Sequence, residues 1–224
     1  VTRALEDGGH ILVPAFAVGR TQALLHHLDA LAESGRLPAL PVAVDTPMGL
    51  RVTETYGAFQ RLYDEESLDK LSRGDDPLDF EGLYSVKRRR DSRRLDRLER
   101  PVLVIAGSGM CTGGRIVGHL ERLLPEPETN VVFVGYQAPG TLGRELVDIA
   151  ERGDLGRALV EVNGRRVRVR AEVDVLHGLS AHADQGELAA WLAAVPGVRR
   201  VGLFHGDPQA QAALARRLAK EDAP

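Results

Sequence analysis

Four apolar runs constrain this chain more than any other feature: "HILVPAF" (10–16), "LPVAVDTP" (40–47), "PVLVIAG" (101–107) and "NVVFVGY" (130–136). None alternates polar with apolar residues along its middle, so each reads as a strand buried on both faces. A sheet of such strands needs helices above and below it. The intervening segments supply them: "VGRTQALLHHLDALAESG" (18–35) is an amphipathic pattern ended by Gly35, "GLRVTETYGAFQRLY" (49–63) reads as helix, and another helix fills 114–124. Strand–helix–strand units of this kind define an α/β fold, a mainly parallel sheet with helices on both faces. Residues 64–100 read as polar and irregular, with Gly74, Pro77 and Gly82 as breakers.

The pattern changes near residue 156. "RALVEVNGRRVRVRAEVDVL" (157–176) alternates and contains Asn163-Gly164, the strongest short-range hairpin signal. A helix follows over 180–195 with Ser180 placed as its N-cap, then a strand over 198–208 and a closing helix over 208–220. The chain is therefore expected to form one domain over 1–155 and a separate layer over 156–224.

Apolar residues make up 43% and charged residues 27% of the 224 positions, which suffices to bury a core. A net charge of −3 excludes attraction to nucleic acid through overall basicity, so any such partner needs a local patch. Cys111 stands alone, which excludes an intrachain disulfide framework and a Cys-rich zinc site and fits a reducing, cytoplasmic compartment. No stretch approaches the roughly 18–20 apolar residues of a membrane span, and no membrane partner is expected. The opening "VTRALEDGGH" is polar and lacks methionine, so the chain is expected to be a piece of something longer.

Chemistry concentrates in three places. Gly107-Ser108-Gly109-Met110, with Gly113-Gly114 beyond, lies between a strand and a helix, where backbone N–H groups can point at an anion. A dinucleotide fingerprint would need G-x-G-x-x-G and an acid after the next strand. Here the third glycine is displaced by one and the next strand ends at Tyr136-Gln137. Two readings stay open for this loop, a phosphate cradle and a tight turn whose glycines serve packing alone. His182 in "GLSAHAD" and His205 in "LFHGD" each sit beside a carboxylate at a strand or helix end, suited to acid–base or metal work and equally to a solvated position. Arg20 opens a helix directly after the first strand, at the same sheet edge as the glycine loop, where a guanidinium can grip phosphate bidentately. His26, His27 and His119 read as helix-surface or satisfied interior residues. "KRRRDSRRLDRLER" (87–100) reads either as a solvated helix laced with ion pairs or as an electrostatic track for a nucleic-acid backbone.

Taken in order, "ILVPAFAVGRTQALLHHL", "VDTPMG", "VIAGSGMCTGGRIVGHL", "VFVGYQAPGTLGREL", "GLSAHAD" and "LFHGD" resemble the β-CASP branch of the metallo-β-lactamase superfamily, a group of RNA-processing nucleases. The resemblance omits roughly 64–100. It implies a β-CASP domain over 1–155, followed over 156–224 by the C-terminal strands and helices of a metallo-β-lactamase αββα sandwich. It further implies that His205 ligates one of two zinc ions and that His182 lies near the scissile phosphate as proton donor to the leaving oxygen. Ser108, the N–H groups of Gly109 and Met110, Arg20 and Ser180 would contact RNA phosphates.

The family's H-x-H-x-D-H motif and its other metal ligands are missing and would lie upstream of residue 1. "ETYG" (54–57) falls inside a helix and is not assigned to the family's Thr-Tyr-Gly motif. The expectation is thus the C-terminal half of a zinc-dependent ribonuclease that hydrolyses phosphodiester bonds of single-stranded RNA. Alone it would be inactive and unable to form the full two-zinc site. Its expected partners are single-stranded RNA, the N-terminal metallo-β-lactamase half and a second copy in a homodimer. Two alternatives compete. One is a non-catalytic RNA-binding β-CASP subunit, against which both motif histidines count. The other is a nucleotide-cofactor-binding α/β domain, against which the glycine spacing counts.

Overall fold

A computed structural model describes residues 6, 8–95, 98, 101–179 and 182–220. The chain divides into two compact units, Val1–Leu179 and Ser180–Pro224.

The first unit is built on a six-stranded sheet in the order β3-β2-β4-β1-β5-β8, with every pairing parallel. The expected strands are β1 (His10–Pro14), β2 (Val42–Asp45), β4 (Val102–Ala106) and β5 (Asn130–Phe133). All residues of β1, β2 and β4 are buried, as an unbroken apolar run demands. Alternate residues face opposite layers. Ile11, Val13, Leu103 and Ile105 pack with Leu24, Leu25 and Leu28 of α1 (Arg20–Glu33). Leu12, Val104 and Val131 pack with Ile116 and Leu120 of α5 (Gly114–Leu123) and Leu146 of α6 (Leu142–Glu151). Gly35 closes α1 with φ +66, the left-handed conformation that lets the chain turn away. α2 (Pro47–Ala58) is N-capped by Thr46, whose hydroxyl accepts from Gly49 N–H at 3.3 Å, and it gives way to a 3-10 turn at Gln60–Leu62.

Two stretches of this unit differ from expectation. Residues 64–100 are not irregular: they contain α3 (Glu65–Ser72), the edge strand β3 (Leu83–Ser85) and α4 (Arg89–Leu95). These elements are short and mostly exposed, so they carry little hydrophobic periodicity. β3 forms because β2 offers it a free edge. In the 157–176 segment, β6 (Leu159–Val162) and β7 (Arg165–Arg168) do form an antiparallel hairpin on Asn163 (φ +51) and Gly164 (φ +75). The rest of that segment is β8 (Glu172–Val175), which leaves the hairpin and joins β5 in parallel. Val160, Val162 and Val167 of the hairpin enter the same core as α5 and α6. The sequence places a boundary near 155; in the structure, the chain up to Leu179 packs as one unit.

The second unit contains α7 (Gln185–Ala193) and α8 (Pro208–Lys220) around Ala189, Leu192 and Leu218, with Val198, Val201, Leu203 and Leu214 against them. The expected strand over 198–208 is not formed. A strand exists only through ladder hydrogen bonds to a neighbouring strand, and among the described residues this segment pairs with no strand. The N-cap of α7 is Asp184 rather than Ser180, because Asp184 and Glu187 complete a reciprocal capping box. Ser180 itself lies outside the described residues.

Candidate phosphate-binding edge

All six strands of the parallel sheet end at one edge. β1 connects through α1 to β2 on one side of it, whereas its neighbour β4 connects through α5 to β5 on the other. Ligands of open α/β sheets bind where adjacent connections diverge in this way, outside the carboxyl ends of the strands. The loops at that point are 15–19 and 107–113.

The glycine loop is closely tied. Ser108 N–H donates to Gly113 O at 3.1 Å, and Ile116 N–H donates to Gly107 O at 3.0 Å. Gln137 Nε2 donates to Gly109 O at 3.0 Å and Gly143 N–H to Met110 O at 3.2 Å. The carbonyls at 109 and 110 are thus held backward, while the N–H groups of Gly109 and Met110 make no hydrogen bond among the described residues. Two glycines are required by shape. A Cβ on Gly109 would come within 2.8 Å of the Phe16 ring, and one on Gly114 (φ +78) within 2.2 Å of Gly107 O. Packing and anion binding are therefore not exclusive readings: the glycines pack, and two backbone donors of the loop stay without a protein acceptor among the described residues.

Ser108 Oγ is turned into the loop, accepting from Thr112 N–H at 3.1 Å, so it stiffens the cradle. Arg20 stands at the start of α1 and donates to the Leu179 carbonyl, which fixes its guanidinium at the same edge. Cys111, buried in the loop, has its thiol pushed up to about 12 by desolvation and is inert.

A buried polar network behind this loop was not singled out in the sequence. Asp45, fully buried at the end of β2 and in register with Ala106 of β4, accepts from Ser92 of α4 and from the Arg115 guanidinium. His119 Nε2 lies 2.8 Å from its second oxygen. Burial pushes the Asp45 carboxyl up, but the hydrogen bonds from His119, Ser92 and Arg115 outweigh it and hold the group below its ordinary range. Arg115 also donates to Val86 O at 2.7 Å and Lys87 O at 2.8 Å. The available clue was a carboxylate inside an apolar strand run, since a buried charge demands partners. His119 is the satisfied interior residue expected; His26 and His27 lie on the outer side of α1.

Ser108, Gly109, Met110 and Arg20 therefore share one edge of the first unit. His182 and His205 belong to the second, and both are exposed. His205 adopts φ +73, and its carbonyl accepts from Gln211 Nε2 at 3.0 Å. Among the described residues, the one group of three close metal-type donors is Asp29, Glu33 and Asp75. Lys70 Nζ already sits in it, at 2.8, 2.6 and 3.7 Å from the three carboxylates. His205 belongs to no such group, so the described residues do not by themselves fit a zinc centre.

Fold and loop together define an α/β domain with a parallel sheet and a glycine loop at its carboxyl edge, followed in sequence by a small helical unit. The family model described as the Beta-Casp domain matches residues 21–146, and one described as a Zn-dependent metallo-hydrolase RNA specificity domain matches 166–223. The chain belongs to the β-CASP family of the metallo-β-lactamase superfamily and corresponds to its C-terminal part. It is 39% identical over 217 residues to Ribonuclease TTHA0252 of Thermus thermophilus, covering 97% of this chain and 48% of that protein. It is 32% identical over 225 residues to Transcription termination factor FttA of Pyrococcus abyssi, covering 99% and 34%. An RNase J-like protein of Methanocaldococcus jannaschii is 24% identical over 220 residues, covering 98% and 48%. The chain thus spans half or less of the length of these relatives. No helix among the described residues is long and apolar enough to cross a membrane.

Proposed function

We propose that this chain is the RNA-holding part of a zinc-dependent, cytoplasmic ribonuclease that hydrolyses phosphodiester bonds of single-stranded RNA. The observation that carries the reading is the pair of adjacent N–H donors at Gly109 and Met110 that have no acceptor among the described residues, in the loop at the carboxyl edge of the sheet. Two adjacent backbone donors suit the non-bridging oxygens of one phosphate and read no base, which is how a sequence-tolerant enzyme holds its substrate. Arg20 adds positive charge at that edge, and Ser180 is proposed as a further phosphate contact. The ribonuclease relative and the RNA-specificity family support the substrate class.

In this reading, residues 156–224 belong to the metallo-β-lactamase domain. His205 is one ligand of a zinc centre whose other ligands come from the rest of the longer protein. His182 protonates the departing sugar oxygen, which requires an imidazolium at working pH.

The test has two arms. The 224-residue chain should bind short single-stranded RNA and neither NAD nor ATP, and Gly109→Val should weaken that binding at least tenfold. Preference for NAD or ATP would instead support a nucleotide-cofactor domain. In the full-length protein, His205→Ala should lower zinc content. His182→Ala should spare zinc and RNA binding while slowing cleavage by about 10²–10⁴-fold, the range for loss of a general acid. Collapse of RNA affinity in His182→Ala would make it a binding residue.

A further inference from the structure

The basic run after β3 is not explained by the loop or by the histidines. Lys87, Arg88, Arg89 and Arg93 are exposed and make no ion pair among the described residues. Arg90 and Arg94 share a single partner, Asp91, at 3.7 and 3.5 Å. The expected lacing of ion pairs is therefore largely absent from the described part of the run. Like charges this close repel within a Debye length of about 8–10 Å. Arg89 and Arg90 also open a helix at its positive end, where cations are unfavourable.

The segment is nevertheless held firmly. Val86 and Leu95 are buried in the core, Ser92 donates to Asp45, and Arg115 binds the carbonyls of Val86 and Lys87. Arg115 is the residue after Gly114, so one guanidinium joins the start of the basic segment to the end of the glycine loop. β3 is parallel to β2 and β4, so both segments leave the sheet at its carboxyl edge.

We propose that the exposed cations of 87–93 form a second anchor for the RNA backbone, continuous with the Gly109–Met110 donors and registered to them through Arg115. This rests on the function proposed above and extends it to residues outside the glycine loop. The favoured partner is a nucleic-acid backbone rather than an acidic protein, because the neighbouring donors at the same edge suit phosphate oxygens.

The experiment measures the salt dependence of binding of a short single-stranded oligoribonucleotide to the whole chain. In the variant Lys87→Ala/Arg88→Ala/Arg89→Ala/Arg93→Ala, loss of two to four phosphate contacts should reduce the slope by about 1.4 to 2.8. At 0.1 M salt this corresponds to a loss of roughly 25-fold or more. Arg88→Lys/Arg89→Lys/Arg93→Lys should restore the slope, and Arg90→Ala/Arg94→Ala should change it less. Thermal melting of the fourfold variant should be unchanged or raised. An unchanged slope in the fourfold variant, with Gly109→Val still impaired, overturns this proposal alone and redirects the surface to a protein partner. No RNA binding by the unmodified chain overturns both.

Discussion

The two units of this chain carry their functional candidates on opposite kinds of ground. In the first, the glycine loop rests on strands with every residue buried and on a carboxylate satisfied by three side chains. In the second, three buried residues hold two helices together. Trp191 stays 69% exposed and Phe204 97%, and both candidate histidines lie on the surface. The difference teaches where precision is built in. A backbone cradle of the kind proposed works only if its amides are fixed, and this loop leaves a strand whose five residues are all buried. Residues 198–205 have no such support within their own unit, and local stability follows the density of buried contacts.

The sharpest way to break this contrast is to remove the carboxylate behind the loop. Asp45→Ala should cost about 3–5 kcal/mol, because it strands the buried His119 and the half-buried Arg115. At this chain length that lowers Tm by roughly 10 °C. A loss under about 1 kcal/mol would mean that the loop is no better founded than the tail. Acid should act on the same group. The folded Asp45 carboxyl titrates below its unfolded value of about 3.9, so its contribution is intact above that pH. It disappears as pH falls through the folded value, and Asp45→Asn should flatten the acid limb of a stability–pH curve.

Gly114→Ala comes next, at about 3 kcal/mol, since it combines a positive φ with a Cβ facing backbone at 2.2 Å. Calorimetry would measure it; a neutral result would show the loop to be deformable. In the second unit, Leu192→Ala should cost only about 1–2 kcal/mol, below the 2–5 of a deep core, while Leu120→Ala in α5 should reach that range. Hydrogen exchange should rank them the same way, with amides of α7 exchanging before those of β4. Phe204→Ser should be smallest, within about 0.5 kcal/mol in this chain, because the ring is already in water. A larger loss would place the ring in a contact that the second unit does not show.

What could be read in the sequence follows the same division. The four central strands were legible because burial on both faces leaves an unmistakable apolar run, and the glycine loop because its spacing excludes the dinucleotide pattern. β3 was not: its three residues are half-buried or exposed, and edge strands have no hydrophobic signature of their own. β8 alternates as Glu-Val-Asp-Val, which resembles a hairpin strand, and only its pairing with β5 shows otherwise. Segment 198–208 erred the other way, since an apolar run states a preference that no neighbour fulfils here. Asp45 and His119 lie 74 positions apart, so their contact is a product of topology that spacing rules cannot reach.

The strand order has a consequence for synthesis. β1 and β2 never touch; both pair with β4, which is inserted between them. Until residue 106 has left the ribosome, β1 and β2 share no partner and keep open, apolar edges. A nascent chain in that interval has apolar strand edges in need of protection from aggregation; the arrival of β4 joins the two strands, and the other edge of β1 closes only with β5.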